Sequence, residues 1–466
     1  MNRYRLTLLL FSVLIILLGC TFFLKEKQPN ILIIYADDLG WSDIGCYGSE
    51  KNETPNLDKL AFEGLRFTNA YAAAPICSAS RASIMTGKSP ARLHFETVST
   101  DKQITNKPLL PPKRTLELPL KEITLGEITK DAGYKTAFFG KWHIAKHNGE
   151  YLKWSDTHGP LQQGFDVGSD NYGSHPYDKK NRDMVYLPER TFPKDSLVIK
   201  SINFLKEQQN ANQPFLMIFS SYYVHEPVIP NNSWLIQKYR SRLPNASENE
   251  IKYAAFVETM DYYYGQLLNA LKEFGLEDNT IVIFTSDNGG HPGYTDNTPL
   301  HGNKWTLYEG GIREPFIVRW PTAIKGNTES CVPIIQWDIL PTLCELFKIN
   351  IPHDIDGKSI LSLIRGKSST LNRNILYWHF PYYHPPISYE GTKPCSAIRD
   401  GNYKLIYFYE DDHIELYNLG NDLKEQTDLS SQMPEKAYEL KSNLFRDLKK
   451  VNARFATVNP DYTRNE

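Results

Sequence analysis

Four short segments of this chain, made mainly of β-branched or apolar residues, are each followed at once by polar residues. The segments are 30–35, 134–139, 214–220 and 280–285. Apolar runs of this length without alternation are typical of strands buried on both faces, which occur in largely parallel sheets covered by helices. Because ligand sites in such sheets lie beyond the carboxyl ends of the strands, we predict an α/β fold in which the polar residues meet in one cleft.

A different pattern begins near residue 366. Segments 396–409 and 414–418 alternate apolar and polar residues around turn residues, as antiparallel hairpin strands do, and a helical pattern covers 434–452. We therefore expect a large domain over 28–376, with a mostly parallel sheet flanked by helices, and a smaller C-terminal α+β domain over 377–466, built on an antiparallel sheet. In the large domain, helices are predicted over 57–63, 124–132, 195–208 and 250–274.

Residues 1–20 carry the pattern of an export signal. Arg3 and Arg5 precede a predominantly apolar stretch, 6–18, which is typical of a secretory signal and shorter than the roughly 20 residues of a membrane span. The closing Leu-Leu-Gly-Cys resembles a bacterial lipobox, in which the cysteine is lipidated. The alternatives are an uncleaved anchor or a signal cut elsewhere. We predict an exported protein, in the periplasm or at the cell surface, held to the membrane only by a lipid anchor at Cys20.

The charge balance and the cysteines bear on possible partners. The chain has 52 Lys and Arg against 54 Asp and Glu, a formal net charge of −2. Nucleic-acid binding needs a basic surface that displaces phosphate counterions, so no nucleic-acid partner is expected. We expect either a monomer or a small homo-oligomer, and the sequence does not distinguish the two. Whether disulfides form among Cys46, Cys331, Cys344 and Cys395 is also left open.

The segment around Cys77 is the most informative one. It reads Cys77-Ser-Ala-Ser-Arg81 and closes in Thr86-Gly87. On a helix, Arg81 would lie one turn below Cys77, where its guanidinium could stabilise an anion; a buried, inert cysteine is the alternative interpretation. The segment resembles the Cys-x-Pro-x-Arg signature of the type I sulfatases, in the alkaline phosphatase-like superfamily, although Ala79 stands where that family usually has proline. The resemblance extends from Pro29 to Leu419.

This resemblance implies a modified nucleophile and a metal ion. In the family, a maturation enzyme oxidises the cysteine to formylglycine, so Cys77 is the expected modified residue, and its hydrate is both nucleophile and metal contact. Asp37, Asp38, Asp287 and Asn288 resemble the family's oxygen ligands for calcium. Three carboxylates and an amide are hard ligands, which favour Ca²⁺ over Mg²⁺ in this context and disfavour zinc.

Four further residues match catalytic positions of the family. Lys141 and His143 lie in a Gly-Lys-x-His element; Lys141 would bind sulfate and His143 would act as a base. His225 resembles the histidine near the leaving group, and Lys304 resembles a sulfate-binding lysine. The implied reaction has two steps: attack by hydrated residue 77 on sulfur, with His225 or Lys304 protonating the leaving oxygen, and then release of sulfate assisted by His143.

Export and an aromatic content of 12% favour a sulfated carbohydrate over a small aryl ester. His301, three residues before Lys304, is expected to bind substrate as well. Two alternatives remain: a phosphate or phosphonate monoester hydrolase of the same superfamily, and a catalytically inactive glycan-binding surface lipoprotein. Further candidate sugar-recognition residues are Trp154, His175, Tyr294, Tyr382, Tyr383, His384 and Arg399.

Overall fold

A computed structural model of the protein describes residues 28–99, 106–384 and 392–463. The predicted export signal and Cys20 lie outside the described residues. The strands are β1 (Asn30–Ala36), β2 (Leu65–Tyr71), β3 (Leu109–Leu110), β4 (Lys135–Gly140), β5 (Val167–Ser169), β6 (Phe215–Ser220), β7 (Thr280–Ser286), β8 (Arg313–Arg319), β9 (Thr328–Ser330), β10 (Ile334–Ile335), β11 (Ile375–Phe380), β12 (Cys395–Asp400), β13 (Tyr403–Phe408), β14 (Ile414–Asn418) and β15 (Thr457–Val458).

The α-helices alternate with the strands in the first three quarters of the chain. All five predicted helices are present, with ends shifted by at most two residues. The helices are Pro55–Phe62, Cys77–Thr86, Pro90–Leu93, Leu125–Asp131, Ser196–Gln208, Ser233–Arg242, Glu248–Glu273, Glu309–Ile312, Ile339–Phe347, Leu361–Ile364 and Pro434–Lys450.

A nine-stranded sheet forms the centre of the molecule. Its strand order is β10-β2-β8-β7-β1-β6-β4-β5, and β9 pairs with β2. The run β7-β1-β6-β4-β5 is entirely parallel, whereas β8 is antiparallel to both β7 and β2. Alternate residues of β1 enter two separate hydrophobic cores, one on each face of the sheet. This confirms the mostly parallel sheet flanked by helices, and it explains the unbroken apolar runs.

The register brings the polar strand ends to one level. Ala36 pairs with Ser286 in the β1–β7 ladder, Tyr35 pairs with Ser220 in the β1–β6 ladder, and Gly140 pairs with Ser220 in the β4–β6 ladder. The residues that follow these four strands therefore begin beside one another. Chain segments about 250 positions apart are neighbours at this edge.

The second sheet, β11-β12-β13-β14, is antiparallel throughout, as predicted. The proposed domain boundary at residue 377 falls inside β11, so the sheet begins two residues earlier, at Ile375. Trp378 and Phe380 pack in one hydrophobic cluster with Cys77, and the Trp378 indole donates a hydrogen bond to the Ala72 carbonyl at 2.9 Å. The smaller sheet therefore supports the segment that leads into the Cys77 helix.

Cys46, Cys77, Cys331, Cys344 and Cys395 are all free thiols, so the described residues contain no disulfide. Cys331 and Cys344, the two closest in sequence, differ in environment: Cys331 is exposed and Cys344 is buried. Among the described residues, no helix has the length and apolar character needed to cross a membrane.

Candidate active site

Two acidic pairs meet where β1 and β7 end. Asp37, Asp38, Asp287 and Asn288 are all buried. The backbone N–H of Asp38 donates to Asp287 Oδ1 at 3.0 Å, and Asn288 Nδ2 donates to Asp38 Oδ1 at 2.8 Å. Asp38 has a left-handed backbone, with φ 60°, a conformation that aspartate tolerates better than most residues. The structure therefore brings together the four side chains of the two acidic pairs that the sequence proposed as oxygen ligands of the metal; Cys77, the fifth proposed metal contact, lies in the helix described next.

The Cys77 helix begins directly at this site. Every residue of Cys77–Thr86 is buried, which fits the small Ser and Ala side chains of the segment. Cys77 occupies the first position of the helix, where the unpaired N–H groups and the helix dipole favour negative charge. Its Sγ lies 3.3 Å from His143 Nδ1. The alternative of an inert core cysteine is not supported, because Cys77 also lines a cavity.

Arg81 lies one turn below Cys77 but pairs with an acid of the cluster. Its Nη2 lies 2.7 Å and its Nε 3.0 Å from Asp287 Oδ2, while Nη1 donates to Ser220 Oγ at 2.6 Å and to the Lys141 carbonyl at 2.9 Å. The guanidinium thus connects the ends of β4, β6 and β7. It supplies fixed positive charge beneath position 77 and holds three strand ends in place.

Lys141 and His143 enter the site from the end of β4. Gly140 permits the turn into this segment: its φ is 105°, and a Cβ there would lie 2.0 Å from the Ser220 carbonyl oxygen. Lys141 Nζ donates to both carboxylate oxygens of Asp37, at 2.8 and 2.7 Å. His143 has φ 58°, so the segment is not simply extended, yet both side chains reach the cluster as predicted.

Lys304 and His225 approach Asp38 from two other loops. Lys304 Nζ lies 2.6 Å from Asp38 Oδ2, and His225 Nε2 lies 3.5 Å from the same oxygen. The Tyr177 hydroxyl lies 2.7 Å from His225 Nδ1, which fixes the orientation of the imidazole ring. All six residues predicted to be catalytic are therefore found around one small volume.

The electrostatics of the cluster follow from burial and close pairing. Burial raises the pKa of Asp38, but Lys304, His225 and Lys141 outweigh that effect and hold the pKa well below its usual range. Burial and the neighbouring Asp37 raise the pKa of Asp287 to about 6. Burial lowers the pKa of His143 far below its usual value, assisted by Lys141, so His143 is a neutral base. Burial also raises the pKa of the Cys77 thiol.

The residues present fit a bound divalent cation. Asn288 Oδ1 is buried and has no hydrogen-bond partner among the described residues. Single ligand atoms of Asp37, Asp38 and His225 lie within 4.8 Å of one another. An unpaired buried amide oxygen beside carboxylates is costly, and a hard cation would satisfy it. His225 was not predicted as a ligand, and its position beside Asp38 is a new observation.

A cavity of about 350 Å³ opens above the cluster and is bordered by Cys77, His143, His225 and Lys304. Of the predicted sugar-recognition residues, Tyr294 and His384 line it. Trp154 and His175 do not line the cavity but bind the backbone of site residues. The Trp154 indole donates to the Gly140 carbonyl at 2.9 Å, and His175 Nε2 lies 3.0 Å from the His225 carbonyl. The remaining three, Tyr382, Tyr383 and Arg399, are buried at the junction with the smaller sheet.

His301 does not line this cavity, contrary to the prediction that it points toward the substrate. It borders a second cavity of about 760 Å³, together with Tyr308 and Lys424. The ring stacks on Tyr308 at 4.0 Å between centroids, and Gly302, with φ 72°, turns the chain between His301 and Lys304. Separation by three residues does not keep two side chains on one side when a left-handed turn intervenes.

Several cavity residues were missed in the sequence. His291 follows the Asn288-Gly-Gly turn, and its proximity to a predicted metal ligand was a usable signal. Trp305, directly after Lys304, was another. Tyr151 and Asn249 come from a loop and a helix that carried no motif, so only the folded arrangement identifies them.

Comparison with known proteins agrees with this geometry. A family model described as "Sulfatase" matches residues 29–349, and a second, described as "N-sulphoglucosamine sulphohydrolase, C-terminal", matches residues 301–454. A "Sulfatase" of Formosa agariphila is 32% identical, over 88% of this chain and 86% of that protein. The N-acetylgalactosamine-6-sulfatase of Homo sapiens is 33% identical, over 76% of this chain and 68% of that protein.

Solved structures share the fold. A structure of Ps i-CgsB in complex with k-i-k-neocarrahexaose has a TM-score of 0.73 at 24% identity and covers 94% of this chain and 95% of its own. Another protein, in complex with its substrate D-glucosamine-2-N,6-O-disulfate, has a TM-score of 0.66 at 23% identity and covers 91% and 98%. The fold and the site define an alkaline phosphatase-like hydrolase of sulfuric esters. The chain belongs to the sulfatase family.

Proposed function

We propose that this sulfatase removes sulfate from a sulfated carbohydrate, using a formylglycine formed from Cys77 and a bound Ca²⁺. The observation that carries the proposal is the convergence of Cys77, His143, His225 and Lys304 on one cavity, beside three buried carboxylates, one of which, Asp37, binds Lys141. The carbohydrate is supported by the names of relatives, which include N-acetylgalactosamine-6-sulfatase, and by a cavity wall rich in aromatic side chains.

The charge of the cluster supports the cation. Three carboxylates, Asp37, Asp38 and Asp287, face three permanent cations, Arg81, Lys141 and Lys304, so their formal charges cancel. An anionic sulfate ester would gain little from a neutral site, whereas a divalent cation held by the carboxylates and Asn288 would make the site positive. When bound, the cation would polarise an S–O bond and stabilise developing negative charge.

The environment of Cys77 supports its modification. Since burial raises the pKa of its thiol, the unmodified side chain would be a protonated, weak nucleophile. Formylglycine would supply a hydrated aldehyde, in which one hydroxyl attacks sulfur and the other allows sulfate to leave. The Cys77–Thr86 helix is buried along its whole length, so a maturation enzyme would have to act before the chain folds.

The remaining residues bind the ester and move protons. Lys141 and Lys304 would orient the sulfate oxygens and stabilise negative charge as the S–O bond breaks. His143 Nδ1, next to the side chain at position 77, would accept a proton there. His225 or Lys304, which both border Asp38, would protonate the leaving oxygen of the sugar. On this proposal the protein acts outside the cytoplasm, anchored by a lipid at Cys20.

The test combines mass spectrometry with an ester panel. The protein is produced in its native host or with a formylglycine-generating enzyme, and the peptide that contains Cys77 is weighed. Sulfate release is then measured on sulfated mono- and disaccharides, a small aryl sulfate and matched phosphate esters, with Cys77→Ala as the control. We expect formylglycine, Ca²⁺-dependent sulfate release from at least one saccharide and slower phosphate release. An active enzyme with an unmodified thiol, or one that cleaves only the aryl ester, would contradict the proposal.

A further inference from the structure

Trp305 has a backbone conformation that suits glycine. Its φ is 79°, in the left-handed region where a bulky side chain is a genuine outlier. Two contacts impose it: the Trp305 N–H donates to the Pro75 carbonyl at 2.8 Å, and the Trp305 carbonyl accepts a hydrogen bond from Thr392 Oγ1. A large side chain kept in a strained conformation next to a catalytic residue indicates that the side chain itself has a role.

The position of the indole ring specifies that role. The ring lines the same cavity as Cys77 and Lys304, and its centroid lies 5.6 Å from Lys304 Nζ. His384 stacks on it at 4.3 Å, with an interplanar angle of 13°, and His291 meets it edge-on at 5.0 Å. The ring is therefore held rigidly, and it lies next to the ammonium group of Lys304, the proposed sulfate-binding lysine.

We infer that Trp305 is a specificity-determining residue, which contacts the sugar ring that carries the sulfate. Pyranose rings present apolar C–H groups on their faces, and a fixed aromatic surface of this size contacts such a face with little loss of side-chain entropy. When Lys304 binds the sulfate group, the sugar that carries this sulfate would lie against the Trp305 indole. The inference rests on the proposed carbohydrate sulfatase function and deepens it.

The test compares Trp305→Gly with Trp305→Phe. Glycine removes the ring but suits the positive φ, which offsets part of the lost packing, so this variant is expected to fold with a melting temperature lowered by a few degrees at most; phenylalanine keeps an aromatic face. On the best saccharide of the panel, for example N-acetylgalactosamine 6-sulfate, we expect Trp305→Gly to raise KM about 10- to 100-fold with kcat changed less. Trp305→Phe should stay within about threefold of the wild type, and the small aryl sulfate should lose less than the saccharide.

Binding in an inactive background separates this inference from the proposed function. In Cys77→Ala protein, isothermal titration with the same saccharide should show weaker binding when Trp305→Gly is added. If the wild type cleaves saccharides and Trp305→Gly matches it in KM and affinity, the inference alone is overturned. An equal loss of kcat on saccharide and aryl esters would also overturn it, because that pattern means a displaced Lys304. A wild type without activity on any saccharide would refute the proposed function instead.

Discussion

One cluster of buried charges lies at the catalytic centre, and another lies where the smaller sheet meets the larger. At the junction, Lys404 Nζ lies 2.9 Å from Glu309 Oε1 and 2.8 Å from Glu425 Oε1, and Arg313 pairs with Glu309 at 3.2 Å. In both clusters the carboxylates are held by cations within hydrogen-bond distance. The catalytic cluster adjoins the cavity that Cys77 lines, and it includes a buried amide oxygen, Asn288 Oδ1, that has no hydrogen-bond partner among the described residues.

This difference indicates that the charges at the junction stabilise the fold, whereas the charges at the catalytic centre bind a ligand. The junction cluster connects the Glu309–Ile312 helix to β13 through Lys404, and its charges are balanced within the protein. The catalytic cluster balances its charges in the same way but keeps donors and acceptors at the cavity. Substitution should therefore affect stability at the junction and activity at the catalytic centre, and four predictions test this division.

The largest expected effect is that of Cys77→Ala on activity. Removing the nucleophile should lower kcat for sulfate release by about 10³-fold or more, because alanine cannot form the covalent bond to sulfur. The melting temperature should change by only a few degrees, since alanine suits the small-residue helix. Sulfate assay and thermal denaturation measure both. Retention of a tenth of the activity would mean that the nucleophile lies elsewhere.

The second prediction concerns Lys404→Met at the junction. The change leaves Glu309 and Glu425 buried without their shared cation, so the free energy of unfolding should fall by about 3–5 kcal/mol, measured in urea. The folded enzyme should keep its kcat within about threefold. The matched triple variant Lys404→Met/Glu309→Gln/Glu425→Gln removes the uncompensated charges and should recover part of the stability. A loss of kcat with unchanged stability would mean that the junction positions the catalytic residues.

The third prediction concerns Asn288→Ala and the cation. Wild-type protein should gain stability with added CaCl₂, by about 2.7 kcal/mol at a hundred times the dissociation constant. Asn288→Ala removes one oxygen ligand, so its thermal shift should require at least about tenfold more Ca²⁺. The exposed Asn210→Ala serves as the control and should respond as the wild type does. An identical Ca²⁺ response in Asn288→Ala would remove the amide from the ligand set.

Strand-end residues could be predicted from the sequence because sheet topology leaves them little freedom. Asp37 and Asp287 follow unbroken apolar runs, and parallel pairing of buried strands in register places such residues side by side. Lys141 follows from the same argument, since β4 ends level with β6. For these residues the strand pattern and the family motif indicate the same position.

Loop residues could not be placed in this way. His301 lies three residues before Lys304, yet the left-handed turn at Gly302 directs it to another cavity. Tyr382 and Arg399 were expected at the substrate cleft, but they pack against the larger domain, as in the contact of Arg399 with the Tyr71 ring at 5.3 Å. Their positions depend on how two sheets pack together, which no local pattern records.

The fourth prediction, with the smallest expected effect, concerns the pKa of His379, a buried histidine of the smaller sheet. His379 lies on β11, with Nε2 2.8 Å from the Arg454 carbonyl and Nδ1 2.6 Å from Ser396 Oγ. Burial lowers its pKa to about 4. Between pH 6.5 and 4 the unfolded chain therefore binds a proton that the folded protein excludes, so the stability present above pH 6.5 is lost as the pH falls.

For this single group the loss at pH 5 relative to pH 7 is about 2 kcal/mol. His379→Gln does not titrate, so the difference between its unfolding free energies at pH 7 and pH 5 should be smaller than that of the wild type by this amount. Urea unfolding at the two pH values measures it. If the unfolding free energies of both proteins changed equally between pH 7 and pH 5, His379 would be as readily protonated in the folded protein as in the unfolded chain. Burial would then not keep this histidine neutral, unlike His143 at the catalytic centre.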